Sequence, residues 1–188
     1  MPGDIAELVN EILTPRVNWH EVLARFIYDT AKNDYSFNRP NPRYIQTGFF
    51  LPSLQNLEPG KIIFLVDTSS SIDRELFKQF AGEIQEVTAE VNAGITVIYC
   101  DTKVQGEPVE IEPGETQILE PKGRGGTDFS PAFNYLIDHN IEGKAIIYLT
   151  DGECHSFPKE EPDAPVLWVQ YGNYKRFAPP FGETIKIQ

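Results

Sequence analysis

Short apolar runs recur along the last two thirds of the chain, and their spacing predicts a sheet of parallel strands. The runs in KIIFLVD (61–67), GITVIYCD (94–101) and KAIIYLTD (144–151) are uninterrupted, which is typical of strands covered on both faces. PVLWVQ (165–170) and ETIKIQ (183–188) predict two further strands. Helical patterns separate these runs. Strands that alternate with helices indicate an open, mostly parallel α/β sheet with helices on both faces.

The segments between these strands predict two helices and one edge feature. Residues 72–91 have apolar side chains at helical spacing along one side. Residues 128–140 predict a shorter helix, with Ser130 or Asp128 near its N-cap. Short β-like pieces around glycine and proline in 103–120 predict an edge hairpin.

The N-terminal part has a different pattern, which predicts an extension to the sheet domain. Residues 1–32 indicate two amphipathic helices, the second capped by Asn18. Residues 33–60 are rich in proline and aromatic residues without a clear period, which favours an extended segment laid across the core. We therefore predict a helical and extended segment (1–60) packed on an α/β domain (61–188).

Composition excludes several classes of partner. The 188 residues include 16 basic and 28 acidic side chains, so the formal net charge is −12. This charge repels phosphate backbones, and we expect no nucleic-acid partner. No apolar stretch approaches the roughly 20 residues of a membrane-spanning helix, so we expect no membrane partner. Two cysteines without a CxxC spacing suit a reducing compartment, and we expect a cytoplasmic protein.

The stretch FLVDTSSSID (64–73) points to chemistry, because a buried strand ends there at a carboxylate and three serines follow. One interpretation is a polar turn that caps the next helix. The other is a divalent-metal site. The choice between them depends on which other side chains reach the same point.

Polar residues also occur in two other segments that could lie near the end of this strand. In open α/β sheets, ligands bind beyond the carboxyl ends of strands, where the strand order reverses. The loop GGTD (125–128) precedes the short helix, and an aspartate ends the strand of 144–151. Convergence of the three loops would assemble two carboxylates and three hydroxyls, from Asp67, Ser69, Ser71, Thr127 and Asp151.

Carboxylate and hydroxyl oxygens are hard ligands, which select Mg²⁺ or Mn²⁺ rather than Zn²⁺. We therefore predict a Mg²⁺ or Mn²⁺ site at these five residues. One coordination position would remain open for a carboxylate from outside the chain.

The five residues resemble the metal-ion-dependent adhesion site (MIDAS) of von Willebrand factor A (VWA) domains, in which Asp-x-Ser-x-Ser, a threonine and an aspartate occur in this order. Further motifs, among them DYSFNRPNPRY, GRGGTDFSPAF, TDGE and PFGETIKI, extend the likeness over nearly the whole chain. They resemble a bacterial VWA-like family whose members usually follow a zinc metallopeptidase domain. The resemblance implies a VWA/Rossmann-like fold and a metal-dependent protein-binding module. It also implies an AAA+ ATPase of the MoxR type as the partner.

The sequence departs from this family at two points. Family members tend to have glycine where Ser70 stands. The metallopeptidase part is expected to be missing, because no HExxH string occurs and Ala24 stands where His20-Glu21 would need a second histidine. The peptidase activity is therefore not carried over, and we expect either a stand-alone relative or a fragment.

A hydrolase is the alternative function. A carboxylate at a strand end followed by hydroxyls is also found in Mg²⁺-dependent phosphatases of the haloacid dehalogenase type, with Asp67 as nucleophile. Those enzymes need a second acid two residues later, where this chain has Ser69. They also need a lysine near the phosphate, for which Lys122 is the nearest loop candidate.

Other polar residues have simpler interpretations. Asp101 is expected to be a structural carboxylate and Asp128 a cap. A zinc cluster within residues 151–155 would crowd four ligands into five positions, so we predict instead a partly exposed Cys154 thiol. Cys100 is predicted to be a small core residue.

Overall fold

The structure is a computed structural model that describes residues 19–32, 35–40, 52–54, 60–90, 93–120, 122–172 and 174–187. The predicted first helix and the Asn18 cap lie outside the described residues. The helices are α1 (Trp19–Lys32), α2 (Arg74–Glu90) and α3 (Ser130–Asp138). The strands are β1 (Tyr35–Pro40), β2 (Pro52–Leu54), β3 (Ile62–Asp67), β4 (Ile95–Cys100), β5 (Val109–Ile111), β6 (Ala145–Thr150), β7 (Val166–Tyr171) and β8 (Glu183–Ile187).

Six strands form the main sheet in the order β5-β4-β3-β6-β7-β8. All neighbours pair in parallel except β5, which pairs antiparallel with β4. The chain leaves β3 for β4 on one side and later returns to β6 on the other. The strand order therefore reverses between β3 and β6, which is where an open α/β sheet binds ligands.

Helices cover both faces of this sheet, so the predicted fold class is confirmed. Successive β3 residues point to opposite faces, and each face has its own apolar cluster. One cluster packs α1 and α2 on the sheet, and the other packs α3 on it. The central strands β3, β4 and β6 are buried at every position, as their uninterrupted apolar runs predict.

Helix α2 begins two residues later than the spacing of its apolar side chains predicts. Asp73 precedes its first residue, and the Asp73 Oδ1 atom accepts a hydrogen bond from the Leu76 backbone N–H at 2.8 Å. This is the contact of an N-cap residue. The capping of α2 therefore belongs to Asp73 and not to the serines of the preceding loop.

The predicted edge hairpin is present with a different pairing. β5 lies at the sheet edge, where Ile95 of β4 is paired with Ile111. The hairpin is thus formed by β4 and β5 together rather than by two pieces within 103–120.

The N-terminal region contains the predicted second amphipathic helix and an extended part. Leu23 and Ile27 of α1 are buried in the same cluster as α2. β1 and β2 pair antiparallel as a separate two-stranded sheet. The division at residue 60 stays a prediction, and the burial of the aromatic side chains in 35–50 lies outside the described residues.

Trp168 of β7 packs in the apolar cluster on the α3 side of the sheet. Its side chain is fully buried, and its indole N–H donates to the Phe181 carbonyl at 2.9 Å. The rings of Phe129 and Tyr148 lie within 6 Å of each other and of Trp168. None of the helices in the described ranges is both long and apolar enough to cross a bilayer.

Candidate metal centre

Asp67, the last residue of β3, lies at the centre of the candidate site. Its side chain is fully buried. One carboxylate oxygen accepts the Ser69 backbone N–H at 2.9 Å, and the other accepts the Thr150 hydroxyl at 2.7 Å. Burial raises the pKa of Asp67 despite these hydrogen bonds, and the charge of Asp151 raises it further. The ionised carboxylate is thus poorly solvated in the protein alone, and a bound cation would stabilise it.

The two serines of the loop converge on each other. Residues 69 and 71 both lie on the same side of the turn, and their Oγ atoms are 3.0 Å apart. Ser69 is buried and Ser71 is exposed. One hydroxyl of the pair therefore lies near the buried Asp67 and the other lies at the surface. A metal site that a partner can reach needs such an exposed side.

Backbone contacts join the 67–71 loop to the glycine-rich loop. The Ser70 N–H donates to the Gly125 carbonyl at 2.9 Å. Thr127, two residues further on, is half-buried. In the described part of the chain its hydroxyl has no hydrogen bond to Asp67 or to the serines, so Thr127 is positioned by its main chain.

The loop after β6 is the third loop that carries a predicted metal ligand. Asp151 is half-buried, and its Oδ1 atom accepts the Glu153 backbone N–H at 3.0 Å. The Cys154 thiol donates to the Thr127 carbonyl at 3.1 Å. This contact joins the third loop to the second, so hydrogen bonds connect all three loops that carry the predicted ligands.

Thr150 is a residue of the site that the sequence interpretation missed. Its hydroxyl accepts the Gly152 N–H at 3.0 Å and donates to Asp67. It therefore connects the end of β6 to the end of β3 and orients the central carboxylate. Its position directly before Asp151 was the available signal, since side chains at the ends of adjacent parallel strands meet at one edge of the sheet.

Asp101 holds the glycine-rich loop in place, as expected for a structural carboxylate. Its Oδ2 atom accepts the backbone N–H groups of Gly125 and Arg124 at 3.0 and 3.4 Å. Its Oδ1 atom accepts from Lys103 and Gln105. Burial alone would raise the pKa of Asp101, but these hydrogen bonds outweigh it and lower the pKa. The carboxylate is thus stabilised in its ionised form without a cation.

The glycines of this loop permit the approach to Asp101. A Cβ atom added at Gly123 or Gly125 would lie 2.9 Å from the Asp101 Oδ2 atom, closer than real Cβ contacts allow. Gly123 also has a φ of +106°, which side chains rarely adopt. The GRGG stretch is therefore needed for the backbone to surround this carboxylate.

The N-cap residue of α3 is Phe129, which makes no side-chain cap hydrogen bond, so Asp128 lies one residue before the cap position rather than at it. Its Oδ1 atom accepts the Ser130 N–H at 2.9 Å and the Ser156 hydroxyl at 2.8 Å. The first hydrogen bond stabilises the turn that leads into α3, and the second joins this turn to the loop after β6.

The geometry does not favour a zinc cluster in residues 151–155. The described residues contain no group of three or more His, Cys, Asp or Glu side chains placed to hold a metal ion. Cys154 is buried, so the expectation of a partly exposed thiol is wrong. Its sulfur lies among main-chain groups of the surrounding loops, and burial raises its pKa. The His155 Nε2 atom is 3.0 Å from the Tyr174 hydroxyl.

Two further residues bear on the alternatives. Lys122 lies over the Tyr99 ring, with its Nζ atom 5.7 Å from the ring centroid, and not at the end of β3 where a phosphatase would need it. Cys100 is a buried core residue, as predicted, and burial raises its pKa to about 12.

Two family models match the chain. Residues 62–188 match the model described as VWA-like domain (DUF2201), and residues 1–55 match the model described as "Putative metallopeptidase domain". The expectation that the metallopeptidase part is missing is therefore wrong, because residues 1–55 match the model of that domain. The HExxH string is nevertheless absent from the sequence.

Several known proteins resemble this chain. An uncharacterized protein of Thermotoga maritima is 29% identical over 140 residues, which are 73% of this chain and 34% of that protein. The chain thus spans about a third of the length of this relative.

Solved structures with a related arrangement are distant in sequence. The ArnB paralog VWA2 from Sulfolobus acidocaldarius is 15% identical with a TM-score of 0.47, over 60% of this chain and 35% of its own. BatB from Bacteroides thetaiotaomicron is 19% identical with a TM-score of 0.42, over 60% of this chain and 66% of its own.

Proposed function

Because the chain belongs to the VWA-like domain family, we propose that it is a protein-binding module whose partner binds through a metal ion. Mg²⁺ or Mn²⁺ would be held by oxygens of the five predicted ligands, Asp67, Ser69, Ser71, Thr127 and Asp151. These oxygens would bind the ion directly or through water, because Mg²⁺ is six-coordinate and keeps several waters in protein sites. A carboxylate of the partner would replace one of those waters.

The observation that carries the proposal is the hydrogen-bonded junction of three loops around the buried Asp67. A turn whose only role was to cap α2 would not need this junction, since Asp73 is the cap. The raised pKa of Asp67, caused first by burial and further by Asp151, also favours a bound cation.

The proposal also names a candidate partner and assigns the chain no catalytic role. An AAA+ ATPase of the MoxR type is the candidate partner, on the resemblance of the motifs. We propose no catalytic role, because Ser69 stands where a phosphatase needs its second acid and the sequence lacks HExxH.

Calorimetry with Mg²⁺ and Mn²⁺ tests the metal site. The wild-type protein should bind one ion, and Ser71→Ala should weaken binding at least tenfold without loss of the fold, because the Ser71 hydroxyl contacts only Ser69 among the described groups. At 100 times the Kd, Mg²⁺ should stabilise the fold by about 2.7 kcal/mol and raise the Tm by roughly 5–10 °C.

Asp67→Ala should abolish ion binding, and Asp138→Ala, at an exposed position in α3, should leave it unchanged. Binding of a purified MoxR-type ATPase should weaken in Ser71→Ala in parallel with ion binding. Absence of ion binding by the folded wild-type protein would remove the metal site from the proposal. ATPase binding that is equal in wild type and Ser71→Ala would remove this partner.

A further inference from the structure

An open cleft lies at the edge of the main sheet where the parallel strands begin, opposite the candidate metal centre. Its volume of about 690 Å³ is within the range of typical ligand-binding clefts. Ile63 and Ile146, the second residues of β3 and β6, line it. Asp67 lies at the other end of β3, so the cleft and the metal centre are roughly 13 Å apart along the strand.

The cleft lies where α3 is too short to cover the strands. The nine residues of α3 span about 14 Å, whereas a strand of six residues spans about 20 Å. The connection from β6 to β7 contains no helix or strand in residues 151–165, all of which the structure describes. The cleft is accordingly lined by the end of α3, by residues 140–144 and by residues 160–165.

Apolar side chains line the cleft without being fully covered. Ile137 of α3 is 61% exposed. Ile141, Pro162 and Ala164 are half-buried. Exposed apolar groups that are surrounded by polar residues mark sites of protein interaction. The cleft can therefore accept a large apolar side chain of a partner, which would cover Ile137.

Acidic side chains surround these apolar groups. Glu142, Glu160, Glu161 and Asp163 line the cleft and are exposed. No ion pair or hydrogen bond with a described residue engages their carboxylates. Among the described lining residues only Lys144 is basic, a stronger imbalance than the 28 acidic to 16 basic residues of the whole chain. The cleft is thus locally negative.

Basic side chains complement both features of the cleft. The stems of lysine and arginine can lie along apolar groups while their charged ends reach carboxylates, with which they form charge-assisted hydrogen bonds. The acids belong to two separate segments, 142 and 160–163, so an occupant with several basic groups fits better than a single cation. No group of three or more potential metal ligands occurs among the described residues, so the acids do not form a metal site.

We infer that this cleft binds a segment of a partner protein in which lysine or arginine side chains flank a large apolar side chain. The apolar side chain packs on Ile137 and Ile141. The basic side chains pair with Glu142 and with the acids of 160–163. The inference goes beyond the proposed function and does not depend on it, because the metal centre lies at the opposite edge of the sheet.

Titrations followed by ¹⁵N NMR in the absence of Mg²⁺ test the inference with defined probes. The panel consists of eight-residue Gly/Ser peptides with two leucines and three lysines in different orders. Control peptides replace either the leucines by serine or the lysines by glutamine. The tightest peptide should bind at least tenfold more tightly than both of its controls. It should shift the amide signals of Ile137, Ile141 and Ala164 but not those of Ser71 and Thr127.

Charge variants test the acidic side chains. Glu160→Gln/Glu161→Gln/Asp163→Asn should weaken binding of this peptide at least tenfold, and the fold should persist because all three residues are exposed. The charge-matched control, Glu112→Gln/Glu115→Gln/Glu120→Gln, should retain binding, since these residues are exposed elsewhere. A rise in NaCl should also weaken binding to the wild type, because salt screens exposed charges.

Ile137→Ser tests the apolar contact and should weaken peptide binding severalfold. Its control is Ile118→Ser, since Ile118 is 84% exposed and lies outside the cleft. Three outcomes overturn the inference: no peptide binds better than its serine control, the signals shift elsewhere, or the charge variant binds as tightly as its control. A dimer of the wild-type chain that Ile137→Ser dissociates would also overturn it, because the occupant would then be a second copy.

Discussion

Two buried aspartates at the ends of neighbouring strands have opposite electrostatic environments. Asp101 ends the β4 run and is surrounded by hydrogen-bond donors from two loops, which lower its pKa. Asp67 ends β3, and burial with the nearby Asp151 charge raises its pKa. Donors stabilise the ionised form, whereas burial and a like charge destabilise it. The same residue type therefore has a structural role in one strand and suits a cation in the next.

Replacement of Asp101 by asparagine tests its positioning role. In Asp101→Asn, the amide NH₂ must face donor groups, either those of Arg124 and Gly125 or those of Lys103 and Gln105. Leaving such buried groups unpaired should lower the free energy of unfolding by about 2–3 kcal/mol. Mg²⁺ affinity should also fall, because the displaced loop carries Thr127. Urea denaturation and calorimetry measure the two effects.

The matched control is Asp138→Asn, since Asp138 is exposed at the end of α3. It should change the free energy of unfolding by no more than about 0.5 kcal/mol and leave Mg²⁺ affinity unchanged. Equal stability of the two variants would show that the Asp101 hydrogen bonds do not hold the loop.

At the scale of elements, the site depends on how β6 connects to the loop that follows it. Gly152 has a φ of +81°, and its N–H contacts the Thr150 hydroxyl. A Cβ atom there would lie 3.0 Å from the Gln170 Nε2 atom and from the Phe177 ring. The turn after β6 is thus limited both by its backbone conformation and by contacts with Gln170 of β7 and with Phe177.

Comparing Gly152→Ala with Gly114→Ala separates the cost of the backbone conformation from the cost of crowding by neighbouring side chains. Gly114 has nearly the same φ, +80°, but nothing within 4 Å of an added Cβ atom. Gly114→Ala should therefore cost only the left-handed backbone term of about 1–2 kcal/mol. Gly152→Ala should cost about 1–3 kcal/mol more from crowding. Chemical denaturation measures both free energies.

Mg²⁺ affinity should fall in Gly152→Ala, because a shifted turn displaces Asp151, and should stay unchanged in Gly114→Ala. If the two variants lose equal stability, the contacts with Gln170 and Phe177 do not constrain the turn.

At the scale of the whole molecule, the N-terminal helix and the sheet share one apolar core. Leu23 of α1 is fully buried in the cluster that contains β3 and α2. Burial of this kind couples the two parts, because removal of a packed side chain leaves a cavity that the rest of the core cannot close.

Leu23→Ala should lower the free energy of unfolding of the entire chain by about 2–5 kcal/mol in a single transition. Ile137→Ala is the control, since Ile137 is 61% exposed. It should change the free energy by no more than about 0.5 kcal/mol. Calorimetric unfolding with a separate, unshifted transition for the sheet domain would contradict the shared core.

Much of this architecture can be predicted from local pattern. The uninterrupted runs of β3, β4 and β6 indicate buried parallel strands because both faces of such strands need apolar side chains. The start of α2 was less predictable. Ile72 fits the helical period but lies before the Asp73 cap, because periodicity identifies a face and not the residue at which hydrogen bonding begins.

The sequence by itself determined which oxygen-bearing side chains follow the strands, since their positions relative to the apolar runs are local properties of the chain. Tertiary structure alone decided that Thr150 orients Asp67 and that Asp101 holds the GRGG loop. Each of these contacts joins loops or strands that are distant in sequence. Their distances depend on strand order and register, which no single segment specifies.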